Sequence, residues 1–148
     1  QAVLNLSASG KKVAYVLRLA GLVGANRHPG KFLLNGRMLK SPEAKVNLIH
    51  QQDVIGLIVS LFNNPISSGI FNGVSTTHVS KKEYYQAAAN ALDMAVPSFE
   101  TIEEKPAQTI RIVNGDKVSS ELNYQFVYPD LLAWLSQDRA YFNSDGTS

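Results

Sequence analysis

The sequence predicts an α/β fold built on parallel strands, and three observations predict it. Val13 to Ala20 is apolar on both alternating faces, broken only by Arg18, which is the pattern of a strand covered by helices on both sides. Strand-like apolar runs then alternate with segments of helical period along the chain. Ser80-Lys-Lys-Glu83 is a capping box that opens a helix a few residues after one such strand run.

Element by element, Val3, Leu4 and Leu6 followed by Gly10, Lys11 and Lys12 read as the end of a helix over Gln1 to Ser9, with a glycine stop and cations at its negative end. A helix feeding a buried strand implies an earlier strand to pair with. The expectation is therefore the C-terminal portion of a longer protein. After the strand Val13 to Ala20, the glycines Gly21, Gly24 and Gly30 let the backbone pass close to something. Pro29 to Arg37 forms a short helix, Ser41-Pro42-Glu43 a turn and Val46 to His50 a short strand. Gln51 to Asn63 is apolar almost all round, so it reads as a mostly buried helix. Asp53 suits its positive end, and Asn63-Asn64-Pro65 stops it.

Gly69 to Val74 is another strand. In the helix capped by Ser80, Val79 and Tyr84 stand at the staple positions, and Tyr84, Ala87, Ala88, Ala91 and Ala95 form the inner face. Pro97 closes that segment. Phe99 to Glu104 alternates weakly, like an edge strand, and Thr109 to Val113 is a stronger strand. Asn114-Gly115 taken alone signals a hairpin turn, while Asp116 as the cap of a helix over Lys117 to Leu122 is equally compatible with the residues. Pro129 suits the first position of a final helix carrying Leu131, Leu132, Trp134 and Leu135, and Asn143 to Ser148 is a frayed tail.

Composition excludes several classes. With 148 residues, 45% hydrophobic and 18% charged, the chain is ordinary globular material able to bury a core. No apolar run approaches the roughly 18 residues that span a membrane. The absence of cysteine removes disulfides, thiol catalysis and zinc–thiolate sites, with the cytoplasm as the default compartment. The net charge of +2 hides an asymmetry: residues 1–45 carry +7 and residues 46–148 carry −5. The basic third could draw in an anionic ligand or be a solvated surface.

No motif carries chemistry outright. Gly24 to Lys31 misses the phosphate-binding loop by one residue of spacing and ends in Phe32 rather than Ser or Thr, and no dinucleotide fingerprint lies in the chain. His28, His50 and His78 lack metal-ligand spacing, and no serine-hydrolase elbow is present. His50, just before a buried helix, reads as a structural hydrogen-bonder, and His78 as a loop residue. Arg27-His28 follows a glycine turn beyond a strand, the place where open α/β sheets bind ligands. The aromatics lack the interleaved cations of a base-stacking surface, so a nucleic-acid partner rests on the basic third alone.

Several segments together resemble a family. Arg18-Leu-Ala-Gly-Leu-Val-Gly24, Arg27-His-Pro-Gly30, Val46-Asn-Leu-Ile-His-Gln-Gln-Asp-Val-Ile-Gly56, Ile70-Phe-Asn72, Gly115-Asp-Lys-Val-Ser-Ser-Glu-Leu122 and Tyr128-Pro-Asp130 are similar to the extended short-chain dehydrogenase/reductase superfamily, the NAD-dependent epimerase/dehydratases. Within it they match the atypical YeeZ-type branch of nucleoside-diphosphate-sugar epimerase-like proteins. The resemblance covers nearly the whole chain and favours the helix over the hairpin after Asn114. It implies the C-terminal portion of a Rossmann-type parallel sheet plus the small substrate-binding subdomain. Residues 1–74 would be the remnant of the NAD(P)-binding domain with an inserted substrate loop, and residues 75–148 the substrate-binding subdomain. The Gly-rich loop and any catalytic Tyr/Lys pair would lie upstream.

By the same resemblance, Ala20, Gly21 and Leu22 would face the nicotinamide end of NAD or NADP in the full-length parent. The basic turn of Arg27, His28 and Lys31, with His50, would face a small anionic substrate. No catalytic residue, metal or bound cofactor is expected of this chain alone, nor a nucleic-acid or membrane partner. Gly21 and Val46 stand where sugar-nucleotide members often carry Asn and Arg. The expected function is thus the substrate-binding half of an NAD(P)-dependent nucleoside-diphosphate-sugar epimerase/dehydratase-like protein, inactive by itself and prone to form a homodimer around Val13 to Ala20. The alternative is a non-catalytic dinucleotide-binding sensor or scaffold.

Overall fold

The computed structural model describes residues 13–34, 36, 38–63, 69–100 and 111–142, the side chains of 138–142 excepted. The helix expected over Gln1 to Ser9 and the tail Asn143 to Ser148 lie outside the described residues, as does most of the edge strand expected from Phe99.

Strands β1 (Tyr15–Leu19) and β2 (Gly21–Val23) form one extended run that changes partner at Ala20. β1 runs parallel to β4 (Gly69–Gly73), with Tyr15 opposite Gly69 and Leu19 opposite Gly73. β2 runs parallel to β3 (Leu48–His50), with Val23 opposite His50. The two pairs meet in a fork. The Ala20 amide donates to Gly73 O at 2.9 Å, the Gly21 amide to Asn47 O at 3.1 Å, and the Ser75 amide to Leu48 O at 2.8 Å. β3 is thereby wedged between β2 and the exit of β4. All four carboxyl ends point one way, and the α/β class with parallel strands stands as the sequence predicts.

Around the strands lie a 3-10 helix (Pro29–Leu33), α1 (Gln51–Asn63), α2 (Lys81–Ala91), α3 (Asp116–Leu122) and α4 (Leu131–Phe142). Among the described residues no helix is long and apolar enough to cross a membrane. Two apolar cores hold the elements. One joins Val23 and Val46 to Tyr84, Ala88, Trp134 and Leu135, so α2 and α4 close over the fork. The other packs Ile49, Leu57, Leu61 and Phe71 against Val118 and Leu122, which seats α1 and α3 on the strands.

Three local features depart from the sequence reading. Val13 and Leu19 are 59% and 47% exposed, so the opening strand is not covered on both faces among the described residues; Tyr15, Leu17 and Ala20 pack on a core. The strand expected over Thr109 to Val113 is not one in its described part. A side chain pairs with it instead: Asn47 Nδ2 donates to Arg111 O at 3.0 Å, and Val113 N donates to Asn47 Oδ1 at 2.7 Å. The last helix starts at Leu131 because the Asp130 carboxylate accepts from the Leu132 and Ala133 amides at 2.8 and 3.2 Å, an N-cap that leaves Pro129 outside.

Smaller shifts have local causes. α2 stops at Ala91, and Asp93 follows in the left-handed region at φ 51°, so Ala95 is exposed beyond it and Ala89 takes a buried place. The Ser80 cap forms as read, its hydroxyl accepting from Glu83 N at 3.1 Å. α3 forms in place of a hairpin and starts one residue earlier than expected, at Asp116, with Asn114 Oδ1 accepting from Asp116 N at 2.8 Å.

Candidate functional site

The predicted ligand positions all follow the carboxyl ends of parallel strands, where open α/β sheets place their sites. Ala20, Gly21 and Leu22 form the fork itself. Gly21 is exposed, and a Cβ there would lie 2.7 Å from Leu48 Cδ2, so the backbone passes close to β3 and a larger residue would push the Leu48 side chain aside. The amides of Ala20 and Gly21 are both engaged within the protein.

After β2 the chain turns tightly, Arg27 N donating to Gly24 O at 2.9 Å. Gly24 is buried against the Gln51 side chain, whose Cδ would lie 2.7 Å from an added Cβ. The turn splits the predicted substrate residues. Arg27 and Lys31 are exposed on its outer side, whereas His28 is fully buried. His28 Nδ1 accepts from Gly30 N at 3.1 Å and so caps the 3-10 helix, with Pro29 at its first position.

His50, 4% exposed, repeats this arrangement. Its Nδ1 accepts from Gln52 N at 3.2 Å at the start of α1. Both rings lie around Trp134: His28 at 5.8 Å and His50 at 5.0 Å between centroids, with Tyr128 a further 4.0 Å from His50. The two histidines are interior posts that start helices and pack the core, each cap worth roughly 1 kcal/mol. Arg27 and Lys31 are both exposed, and the structure does not bring the histidines to the surface with them.

Beyond the turn lies a cleft of about 420 Å³, lined by Phe32, Met38, Leu39, Lys40, Lys81 and Tyr85. Lys40 also pairs with Glu100 at 3.4 Å, an exposed pair of small energetic value. The cleft combines aromatic walls with cations, and its first lining residue, Phe32, follows Lys31 in the chain. Sequence reading missed it because its parts are 49 positions apart along the chain, between Phe32 and Lys81.

A second group missed by the sequence is Asp53. It is fully buried, and its carboxylate accepts from Tyr124 Oη at 2.9 Å, Val127 N at 2.7 Å and Tyr128 N at 3.1 Å. Gly56 lies one turn along α1, and any Cβ there would strike the Tyr124 hydroxyl. Burial, then the bond to Asp53, pushes the Tyr124 hydroxyl well above its ordinary pKa, so it stays a donor. This latch fixes the loop that returns to α4 and thereby Tyr128 against His50. Among the described residues no cluster of three or more His, Asp or Glu side chains could hold a metal ion.

No family model matches the chain. Over 117 residues it is 36% identical to protein YeeZ of Escherichia coli, a span of 79% of this chain and 42% of that protein. A functionally unknown conserved protein from Silicibacter pomeroyi superposes with a TM-score of 0.76 at 20% identity, over 97% of this chain and 53% of that one. UDP-N-acetylglucosamine 4-epimerase from Bacillus cereus superposes with a TM-score of 0.71 at 15% identity, over 95% and 52% respectively. The chain is a relative of YeeZ over that span and shares its fold with the solved structure of a UDP-N-acetylglucosamine 4-epimerase. It spans about two fifths of the relative and about half of the solved structures it matches. Other solved structures that share the fold were determined with NAD or NADPH.

At Ala20–Leu22 the exposed glycine edge of Gly21 faces outward, and the amides of Ala20 and Gly21 are engaged within the protein, so neither is a free donor there.

Proposed function

We propose that this chain is the substrate-binding portion of an NAD(P)-dependent epimerase/dehydratase-like protein acting on a small anionic molecule. The observation that supports the reading is the aromatic and cationic cleft of Phe32, Lys40, Lys81 and Tyr85, with the exposed cations Arg27 and Lys31 shortly before Phe32 in the chain. In this reading residues 1–74 complete a nucleotide-binding sheet and residues 75–148 form the substrate subdomain, in a cytoplasmic protein. Ala20–Leu22 walls the nicotinamide end, Arg27 and Lys31 steer the anion in, and His28 and His50 hold the turn and α1 in place.

Two titrations test it. Calorimetry of the 148-residue chain with NAD⁺ and NADP⁺ is expected to show no saturable binding, because the donors for the pyrophosphate are not on these residues; micromolar binding would refute the division of labour. Titration with UDP is expected to perturb the amides of Lys31, Phe32 and Lys40. Arg27→Ala with Lys31→Ala should weaken that binding about tenfold or more, the loss of two charge-assisted contacts. Unchanged affinity in the double variant would reduce the turn to a solvated surface.

A further inference from the structure

We propose that the cleft beside α2 takes an anionic amphiphile, a phosphate-type head joined to an apolar chain. The inference rests on the reading of this cleft as the ligand site and names the class of molecule its walls suit. Phe32, Met38 and Leu39 give the cleft an apolar side, and Lys40 and Lys81 give it two cations. Phe32 and Met38 are 48% and 52% exposed. A large apolar side chain standing singly on a surface needs no cover, but two that line one concavity mark a place where apolar matter binds. The backbone that carries them is held. Leu33 is buried, the Leu39 amide donates to Ser98 O at 3.0 Å, and Glu100 N donates to Leu39 O at 2.9 Å.

The cations act through their side chains. Lys81 is the first residue of α2, at the helix end where the dipole is positive and a cation is disfavoured; an anion beside it relieves that conflict. The amides of that end are already engaged: Lys81 N donates to Ala44 O at 2.8 Å, Lys82 N to Pro42 O at 3.0 Å and Glu83 N to the Ser80 hydroxyl at 3.1 Å. The helix end therefore offers the ligand charge rather than backbone donors. Lys40 pairs with Glu100 at 3.4 Å, an exposed pair that an incoming anion can replace at small cost.

Hydrogen-bonding capacity narrows the class. Ammonium groups only donate, and among the described lining side chains the Tyr85 hydroxyl alone can accept. A sugar or a base presents donors as well as acceptors and would leave its donors unmet on these side chains. A phosphate-type head presents acceptors, which two ammonium groups match, and a hydrocarbon chain asks nothing polar of Phe32, Met38 and Leu39. The cleft's 420 Å³ is about fourteen times water's share of its liquid, room for such a head and a chain of roughly ten carbons.

Amide spectra of the 148-residue chain titrated separately with geranyl diphosphate, inorganic diphosphate and UDP test the proposal. The expected result is saturable shifts at Phe32, Leu39, Lys40 and Lys81, with geranyl diphosphate bound at least about tenfold more tightly than the other two. Phe32→Ala with Met38→Ala, at two exposed positions, should keep a dispersed spectrum and reduce that preference to within about threefold. Lys81→Met keeps the apolar stem, removes the charge and should weaken geranyl diphosphate about tenfold. An unchanged preference in the double variant, or unchanged affinity in Lys81→Met, would overturn the proposal. UDP bound as tightly as geranyl diphosphate would overturn it too, while leaving the cleft an anion site as read above; saturable binding of none of the three would overturn both readings. Sedimentation with phosphatidylglycerol vesicles, in the absence of any shift from geranyl diphosphate, would set the apolar walls against a bilayer and likewise overturn it.

Discussion

Asp53 ties together more of the described protein than its place in one helix turn suggests. Three donors, two of them backbone amides, converge on one fully buried carboxylate. Asp53→Asn retains one acceptor oxygen and turns an NH₂ group toward donors, so the cost should be about 2–4 kcal/mol in urea unfolding. Tyr124→Phe, which removes one donor and leaves the amides satisfied, should cost only about 1 kcal/mol. Equal losses in the two variants would mean that the amides find another acceptor. A helical Asp in a first turn was legible in the sequence as a match to the helix end. Its true partners lie 71 to 75 positions away, beyond the reach of any local pattern. The histidines show the same limit. His50 before a buried helix suggested a hydrogen-bonder, which it is, but the packing of His28 and His50 around Trp134 depends on a residue more than eighty positions on. Tyr84 yields a pH prediction. Its ring is fully buried and its hydroxyl has no partner among the described residues; burial, with the nearby Tyr85 second, raises its pKa well above the ordinary value. The neutral form is favoured by folding, so this contribution is fully present below the ordinary tyrosine pKa of about 10 and is lost as pH rises beyond it. The urea midpoint should therefore be flat toward pH ~10 and then fall, with a shallower fall in Tyr84→Phe. Identical alkaline limbs would remove Tyr84 from the account.

At the scale of elements, legibility followed the strength of the local signal. Gln51–Asn63 was readable to the residue because its apolar run is long and Asn63-Asn64-Pro65 stops it. Ser80 gave the start of α2 because a capping box is a local device whose parts are three residues apart. The fork was not legible. Nothing in Val13 to Ala20 says that the strand changes partner at Ala20, because that choice is made by β3 entering between β2 and β4. The segment Thr109 to Val113 was read as a strand, and its described part forms none and is held by one side chain. That difference makes a prediction. Asn47→Ala should abolish hydrogen-exchange protection at the Val113 amide and cost about 1–2 kcal/mol, while the Leu48–His50 amides keep theirs. Asn47→Asp keeps the acceptor for Val113 N and should restore part of the protection. If Val113 stays protected in Asn47→Ala, the segment has a second support.

For the molecule as a whole, the arrangement of apolar surface is uneven. The run of α1, apolar almost all round, suggested a mostly buried helix, yet only one side of it meets the core, through Val54, Leu57 and Leu61. Ile55, Ile58, Val59 and Phe62 recur at the i, i+3, i+4 and i+7 spacing of one helix face and are 61%, 42%, 50% and 83% exposed. Val13 and Leu19 add exposed apolar surface at β1, which among the described residues pairs with β4 alone. A contiguous helical stripe of this kind is a surface that seeks cover, and a two-fold pairing of identical stripes is the simplest way for one chain to provide it. The chain is therefore expected to form a dimer at micromolar concentration in light scattering, dissociating on dilution. Ile58→Lys with Phe62→Lys should shift it to monomer. Because both side chains are exposed, the thermal midpoint of the monomer should change little, within about ±0.5 kcal/mol of stability per substitution. The charge places four like charges across a two-fold interface, where apolar packing would otherwise hold, so even a modest dimer should not survive it. A wild-type chain that scatters as a monomer at every concentration would show that the stripe of α1 is tolerated in water, and that the exposed face has no partner among copies of itself.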